Sequence, residues 1–123
     1  MILGAVLGSV LVCAPPATPC PPLDHASLTA RLGAEGPTTV VFFATWCAPC
    51  GEHLRRGLPA GAWILGVFDE RERVERALGR LGIARRCAMA DDTATRLGLK
   101  HLPARYTVRD GQWVPELTPA ATR

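Results

Sequence analysis

Apolar positions along this chain fall into runs of different period. Residues 38–44, Thr38-Thr39-Val40-Val41-Phe42-Phe43-Ala44, and residues 63–68, Trp63-Ile64-Leu65-Gly66-Val67-Phe68, are short apolar runs without polar alternation. That is the pattern of strands covered on both faces. Around them the period becomes helical. Asp24 stands where it can cap a short helix carrying Ala26, Leu28 and Leu32, and Gly33 and Gly36-Pro37 stop it. A second helix is expected over residues 47–58, ended by the turn Pro59-Ala60-Gly61. Val74, Ala77, Leu78 and Leu81 then form one apolar stripe, with Asp69 and Glu72 at capping-box spacing and Gly82 where a left-handed residue is wanted. Asp91 or Asp92 can cap a further short helix through Leu97, which Gly98 ends. Residues 105–108 and 112–114 flank Asp110-Gly111, a two-strand hairpin signal. The order strand, helix, strand, helix, hairpin describes an α/β sandwich with a mixed sheet.

Composition narrows this to one domain. The chain has 123 residues, 48% of them hydrophobic and 20% charged, enough for a single modest core. Its net charge is +3, and its arginines are dispersed, with Arg71, Arg73, Arg76 and Arg80 on the wet side of one helix. A nucleic-acid face would need a concentrated basic patch, so no nucleic-acid partner is expected.

Residues 2–12 are an unbroken apolar run of signal h-region length, too short to span a bilayer comfortably. Residues 1–17 are therefore read as a signal peptide cut after Ala17, or as a short N-terminal anchor. Cys13 follows Val10-Leu11-Val12, where a lipoprotein signal would place a small residue before the modified cysteine. Residues 18–22 are expected to be an extended proline-rich tether, and residues 23–123 the folded domain. The chain end, residues 115–123, is short and broken by Pro115 and Pro119, which argues against a terminal helix there.

The chemistry concentrates in Trp46-Cys47-Ala48-Pro49-Cys50. A buried strand runs into these cysteines and a helix leaves them, which is the setting of a redox-active pair. Cys47 would sit at the helix N-terminus, where free N–H groups and the helix dipole favour a thiolate, making it the nucleophile and Cys50 the resolving thiol. Ala48 and Pro49 lie between the sulfurs and can tune the couple. A structural zinc site would need four ligands, and Cys20, Cys87, His25, His53 and His101 contain no second closely spaced pair; no metal is expected. Cys20 and Cys87 can form a second disulfide in an oxidising compartment, or Cys87 can be an inert core thiol with Cys20 free.

Residues 38–114 resemble thioredoxin-like proteins of the TlpA type, extracytoplasmic thiol-disulfide oxidoreductases that include cytochrome c maturation factors. The carriers are Phe42-Phe43-Ala44-Thr45-Trp46-Cys47-Ala48-Pro49-Cys50, Leu65-Gly66-Val67-Phe68-Asp69, and the block from Leu97-Gly98 through Leu102-Pro103-Ala104 to Asp110-Gly111. The resemblance implies a three-layer thioredoxin-like sandwich, here with its C-terminal helix missing or shortened. It implies that Pro103 is cis and faces the cysteine pair, that the backbone of Leu102 pairs with a substrate peptide, and that Trp46 shapes the docking surface. It also implies a periplasmic or otherwise extracytoplasmic protein that reduces or exchanges disulfides in exported cysteine-containing proteins. A membrane electron donor would re-reduce it, and no cofactor is called for.

Two positions depart from that pattern. Val41 stands where classical thioredoxins carry a buried aspartate, and His53 stands third after Cys50, where the TlpA group often has glutamate. Glu52, one residue earlier, is a weak substitute as proton acceptor for Cys50. A redox-inactive thioredoxin-like binding module and a disulfide oxidase are the alternative functions.

Overall fold

The computed structural model describes residues 18–116. Their elements run α1 (His25–Gly33), β1 (Thr38–Phe43), α2 (Ala48–Arg55), β2 (Trp63–Gly66), α3 (Arg71–Leu81), β3 (Cys87–Met89), α4 (Asp91–Leu97), β4 (Ala104–Arg109) and β5 (Gln112–Pro115). The five strands form one sheet in the order β3-β2-β1-β4-β5. β1, β2 and β3 are parallel neighbours, while β4 pairs antiparallel with β1 and β5 antiparallel with β4. The sheet is therefore mixed, with helices on both sides, and the architecture is the three-layer α/β sandwich expected above.

Strand alternation sorts the core into two halves. Val41, Phe43, Ile64, Cys87 and Met89 meet Cys50 and Leu54 of α2 and Val74 and Leu78 of α3. Val40, Phe42, Leu65, Ala88 and Val108 meet Leu28 and Leu32 of α1 and Ala94 of α4. Because β1 and β2 are apolar on both faces, they take the centre of the sheet, and the cysteine pair leaves β1 from the middle of the molecule. Local chemistry closes the helices: the Asp24 carboxylate accepts from the Ser27 N–H (2.7 Å), and Gly82 ends α3 at φ 69°. Backbone freedom of this kind is what glycine supplies at a helix end.

The structure corrects four of the expectations. Residues 18–22 are not a tether. Cys20 is fully buried and disulfide-bonded to Cys87, Pro22 bridges Met89 in parallel, and the Met89 N–H donates to Pro21 O (2.9 Å) while the Leu23 N–H donates to Met89 O (3.1 Å). The exposed edge of β3 needs a partner for its backbone groups, and this segment supplies it. The folded domain therefore begins at or before Thr18, whose hydroxyl donates to Ile83 O (3.1 Å).

The second correction is α2, which ends at Arg55 because Gly57 adopts φ 96°; Gly57 terminates the helix and does not lie within it. Third, α3 starts at Arg71 behind Glu70, so Asp69 does not cap it, and α4 starts at Asp91 behind Ala90, so neither Asp91 nor Asp92 caps that helix. Their carboxylates are drawn to donors elsewhere in the fold, described below. Fourth, β3 is a strand that the hydrophobic pattern does not announce, since three residues are too few to show a period. The expectation of a signal peptide or anchor in residues 1–17 and the argument against lipidation at Cys13 lie outside the described residues, as do residues 117–123 of the chain end.

The outer part of the sheet is not apolar where a terminal helix would pack. On β4, Ala104, Tyr106 and Val108 turn to the α1/α4 side, whereas Arg105 and Thr107 share the face of their register partners Val41 and Thr39. Glu116 accepts hydrogen bonds there from Thr107 Oγ1 (2.9 Å) and Thr39 Oγ1 (3.5 Å) and forms an ion pair with Arg105 (3.2 Å). The Arg105 Nε is close in distance but poorly directed, so charge rather than a hydrogen bond holds it.

Candidate active site

Cys47 is the N-cap residue of α2, in extended conformation at φ −94°, ψ 105°. Its N–H donates to Ala44 O (3.1 Å), closing the turn out of β1, and its carbonyl accepts from the Cys50 N–H (3.1 Å). Pro49 falls in the first turn of α2, where a missing N–H costs no helix bond. Cys47 and Cys50 are disulfide-bonded, with Cα atoms 5.4 Å apart. Cys47 retains 9% of its surface and Cys50 1%, so Cys47 is the more accessible of the two.

The surroundings divide into an apolar ledge and a mixed polar groove. Trp46 is 60% exposed, and its indole N–H donates to Phe68 O (2.9 Å); Phe68, 47% exposed, stands beside it. On the other side Ala48, Pro49, Glu52, His53, Arg56 and Pro103 line a groove of about 430 Å³. The Leu102–Pro103 bond is cis, and Pro103 lines this groove opposite residues of α2, the helix that carries Cys50. Leu102 is partly buried between the two core halves.

Val41 is fully buried beneath α2, so no acid lies in the core at that position. His53 is half-buried, with its Nε2 buried and without a hydrogen-bond partner, and it lines the groove beside Pro103. Burial, with the charges of Arg105 and Arg56, holds its imidazolium form below the usual histidine range. His53 is therefore a neutral base near neutral pH. Glu52 is exposed on the groove wall, and His101 is exposed in the adjoining groove lined by Lys100, Arg105 and Tyr106. His25 belongs elsewhere: its Nδ1 pairs with Thr93 Oγ1 (2.9 Å), and its ring packs on Trp113 at 5.6 Å on the α1 side.

Asp69 was not legible as a site residue. Its Oδ2 accepts from the Thr45 N–H (2.7 Å) and the Thr45 hydroxyl (2.6 Å), and its Oδ1 from the Glu70 N–H (2.7 Å). The signal was present in the register: Phe43 of β1 pairs with Gly66 of parallel β2, so the loops after both strands leave the same sheet edge side by side.

No family model matches the chain, and no curated protein matches it. Solved structures do. The chain is similar to a thiol:disulfide interchange protein, a thioredoxin family protein, from Chlorobium tepidum TLS, at 20% identity over 87% of this chain and 90% of that one, with a TM-score of 0.54. It is also similar to a candidate thiol-disulfide oxidoreductase from Bacteroides vulgatus, at 15% identity over 76% of this chain and 70% of that one, with a TM-score of 0.50. This is a thioredoxin fold. Within it, the described part of the chain places Cys47, Cys50 and Pro103 at one edge of the sheet, where β1 ends and β4 begins.

Several carboxylates hold this thioredoxin fold together, and they define its acid stability. Burial works against the Asp69 charge, but the side-chain and backbone bonds from Thr45 and the N–H of Glu70 outweigh it and keep its pKa below 3.8. Backbone N–H bonds do the same for Asp24 (from Ser27), Glu75 (from Cys20) and Asp92 (from His25). A carboxylate whose folded pKa is depressed contributes stability that is fully present above its unfolded pKa and is lost as pH falls through the folded value. His53 acts with the same sign at higher pH, because the unfolded imidazole takes up its proton near 6.5 before the folded one does. The melting temperature is therefore expected to decline mildly below about pH 6.5 and further below about pH 4.5. Circular dichroism melts in a buffer series check this, and a constant melting temperature from pH 5 to 3 would contradict it.

Proposed function

We propose that the protein is an extracytoplasmic thiol-disulfide oxidoreductase that reduces or exchanges disulfides in exported proteins through the Cys47/Cys50 pair. The observation that carries this reading is Cys47 at the N-cap of α2, disulfide-bonded to Cys50, with the next two residues, Ala48 and Pro49, lining a groove together with cis-Pro103. The free N–H groups and the dipole of a helix N-terminus favour a cysteine thiolate, and Cys47 occupies that position. The Cys47 thiolate attacks one sulfur of a substrate disulfide, forming a mixed disulfide and expelling the other sulfur as a thiolate. Cys50 loses its proton and attacks the Cys47 sulfur, which forms the intramolecular disulfide and releases the second substrate sulfur. Two electrons pass from the dithiol to the substrate, and a membrane electron donor of the TlpA-type kind returns them. His53, neutral and three residues beyond Cys50 on α2, is a better placed proton acceptor than the exposed Glu52.

An oxidising compartment is supported by the buried Cys20–Cys87 disulfide, which belongs with exported proteins. The apolar run of residues 2–12 fits an export signal or a tether to the membrane. Cytochrome c maturation is one substrate class consistent with the TlpA resemblance.

Equilibration of the Cys47/Cys50 couple with glutathione buffers tests direction. A potential near the reducing end of the range for this architecture, about −270 mV, is expected; one near −120 mV would make the protein a disulfide oxidase. Failure of the pair to cycle at all would leave a redox-inactive binding module.

A further inference from the structure

We infer that Asp69 is a positioning residue of the Cys47–Cys50 site, holding the turn that delivers Cys47 to the N-terminus of α2. The inference rests on the redox reading of the pair and adds a residue from a different loop to it. The turn Ala44 to Cys47 carries only one internal backbone bond, from the Cys47 N–H to Ala44 O. At its Cys47 end it is tied to α2, by the Cys50 N–H and the disulfide, and the side-chain hydrogen bonds of Thr45 and Trp46 go to the loop between β2 and α3. The Asp69 carboxylate takes both the backbone and the hydroxyl donor of Thr45 on one oxygen, and the Trp46 indole donates to Phe68 O.

That second loop is itself held. The Phe68 N–H donates to Asp91 Oδ1 (2.7 Å) at the start of α4, and the Val67 N–H donates to Phe43 O (3.0 Å) at the end of β1. Phe68 sits at φ 54°, a left-handed conformation that bulky L-residues rarely adopt. A bulky residue stays there only when surrounding bonds over-determine it, and here they do. The chain of contacts runs from α4 through Asp91, Phe68 and Asp69 to Thr45, Trp46 and the nucleophile. Asp69 itself enters no ion pair within 4.0 Å among the described residues, so its carboxylate is committed to these N–H and O–H donors.

Two effects of removing Asp69 have opposite signs, and this makes the inference testable. If Asp69 positions Cys47, its loss frees the turn, weakens the contact of Cys47 with the helix N-terminus, and raises the thiol pKa. If Asp69 acts only as a nearby negative charge, its loss lowers that pKa. The experiment follows alkylation of reduced full-length protein by iodoacetamide against pH, with the Cys47 adduct identified by mass spectrometry. Asp69→Ala is expected to slow Cys47 alkylation at pH 6 about tenfold, the equivalent of one pKa unit. Asp69→Asn, which keeps an oxygen acceptor for Thr45, is expected to restore most of the rate. Thr45→Val removes one bond without touching the carboxylate and guards against misfolding of the alanine variant; a smaller slowing is expected. An unchanged profile in folded Asp69→Ala and Thr45→Val, whatever their melting temperatures, overturns the inference, as does a shift to lower pH. Alkylation needs no turnover, so a pair that fails to cycle with glutathione sinks the redox reading without deciding the role of Asp69.

Discussion

Cys47→Ser is expected to reduce disulfide exchange on a model protein substrate to the rate of a protein-free control, while Cys50→Ser accumulates a covalent adduct with that substrate. The asymmetry follows from geometry. Cys47 caps α2 and keeps 9% of its surface, whereas Cys50 lies one turn inside at 1% and can reach only the Cys47 sulfur. Without Cys47 the described residues hold no other thiol at a helix N-terminus to open the substrate disulfide, since Cys20 and Cys87 are bonded to each other and Cys50 is buried, and a hydroxyl of far higher pKa does not replace it. Without Cys50 the first step proceeds but nothing expels the bound substrate, so the mixed disulfide persists. Non-reducing electrophoresis and mass spectrometry of both variants read this out. Adduct formation by Cys47→Ser, or exchange activity surviving in it, would reverse the assignment of the two sulfurs.

Removing the Cys20–Cys87 disulfide, by the double change Cys20→Ser and Cys87→Ser, is expected to cost about 4 kcal/mol of stability in the chain-entropy model. The bond spans a sequence separation of 67 residues, nearly the whole distance from the first described residues to β3. It also anchors residues 18–23, whose backbone bonds to Met89 cover the edge of the sheet, and whose Cys20 N–H engages Glu75 (2.7 Å). A domain of this size has roughly 5–15 kcal/mol in total, so the variant should be marginal at ambient temperature. Urea denaturation monitored by tryptophan fluorescence measures the loss. A change below about 1 kcal/mol would mean that core packing of Cys20 and Cys87, both buried, does the holding without the covalent bond.

The two disulfides illustrate what could and could not be read from the chain. Cys47 and Cys50 are three residues apart at the junction of an apolar run and a helix, so their pairing and placement follow from local pattern. Cys20 and Cys87 are far apart, and residues 18–22 carry prolines that look like a tether. Only the sheet edge, which needs a partner for β3, explains why that segment is bound. The strand β3 itself is three residues long and escapes any periodic test. Helix α3 was legible because four apolar positions share one face and Gly82 ends it. The roles of the acidic residues were not. Asp69, Asp91 and Asp92 have the spacing of helix caps, yet they serve Thr45, the Phe68 N–H and the His25 N–H, donors 24, 23 and 67 positions away.

Arg105, Thr107 and Glu116 make the same point about the outer sheet. Strand alternation turns Arg105 and Thr107 of β4 to the face they share with Val41 and Thr39, where Glu116 bonds Thr39 and Thr107 and pairs with Arg105. Local pattern thus determined the α/β class, the central strands, the helix ends at Gly82 and Gly98, and the pairing of Cys47 with Cys50. Each of these depends on residues within a few positions of one another. The register of parallel strands and the meeting of separate loops decided the rest: the clasp of Asp69 on Thr45, the burial of Cys20, and the groove shared by Pro103 and His53. Those contacts join residues that are neighbours only after the chain has closed on itself.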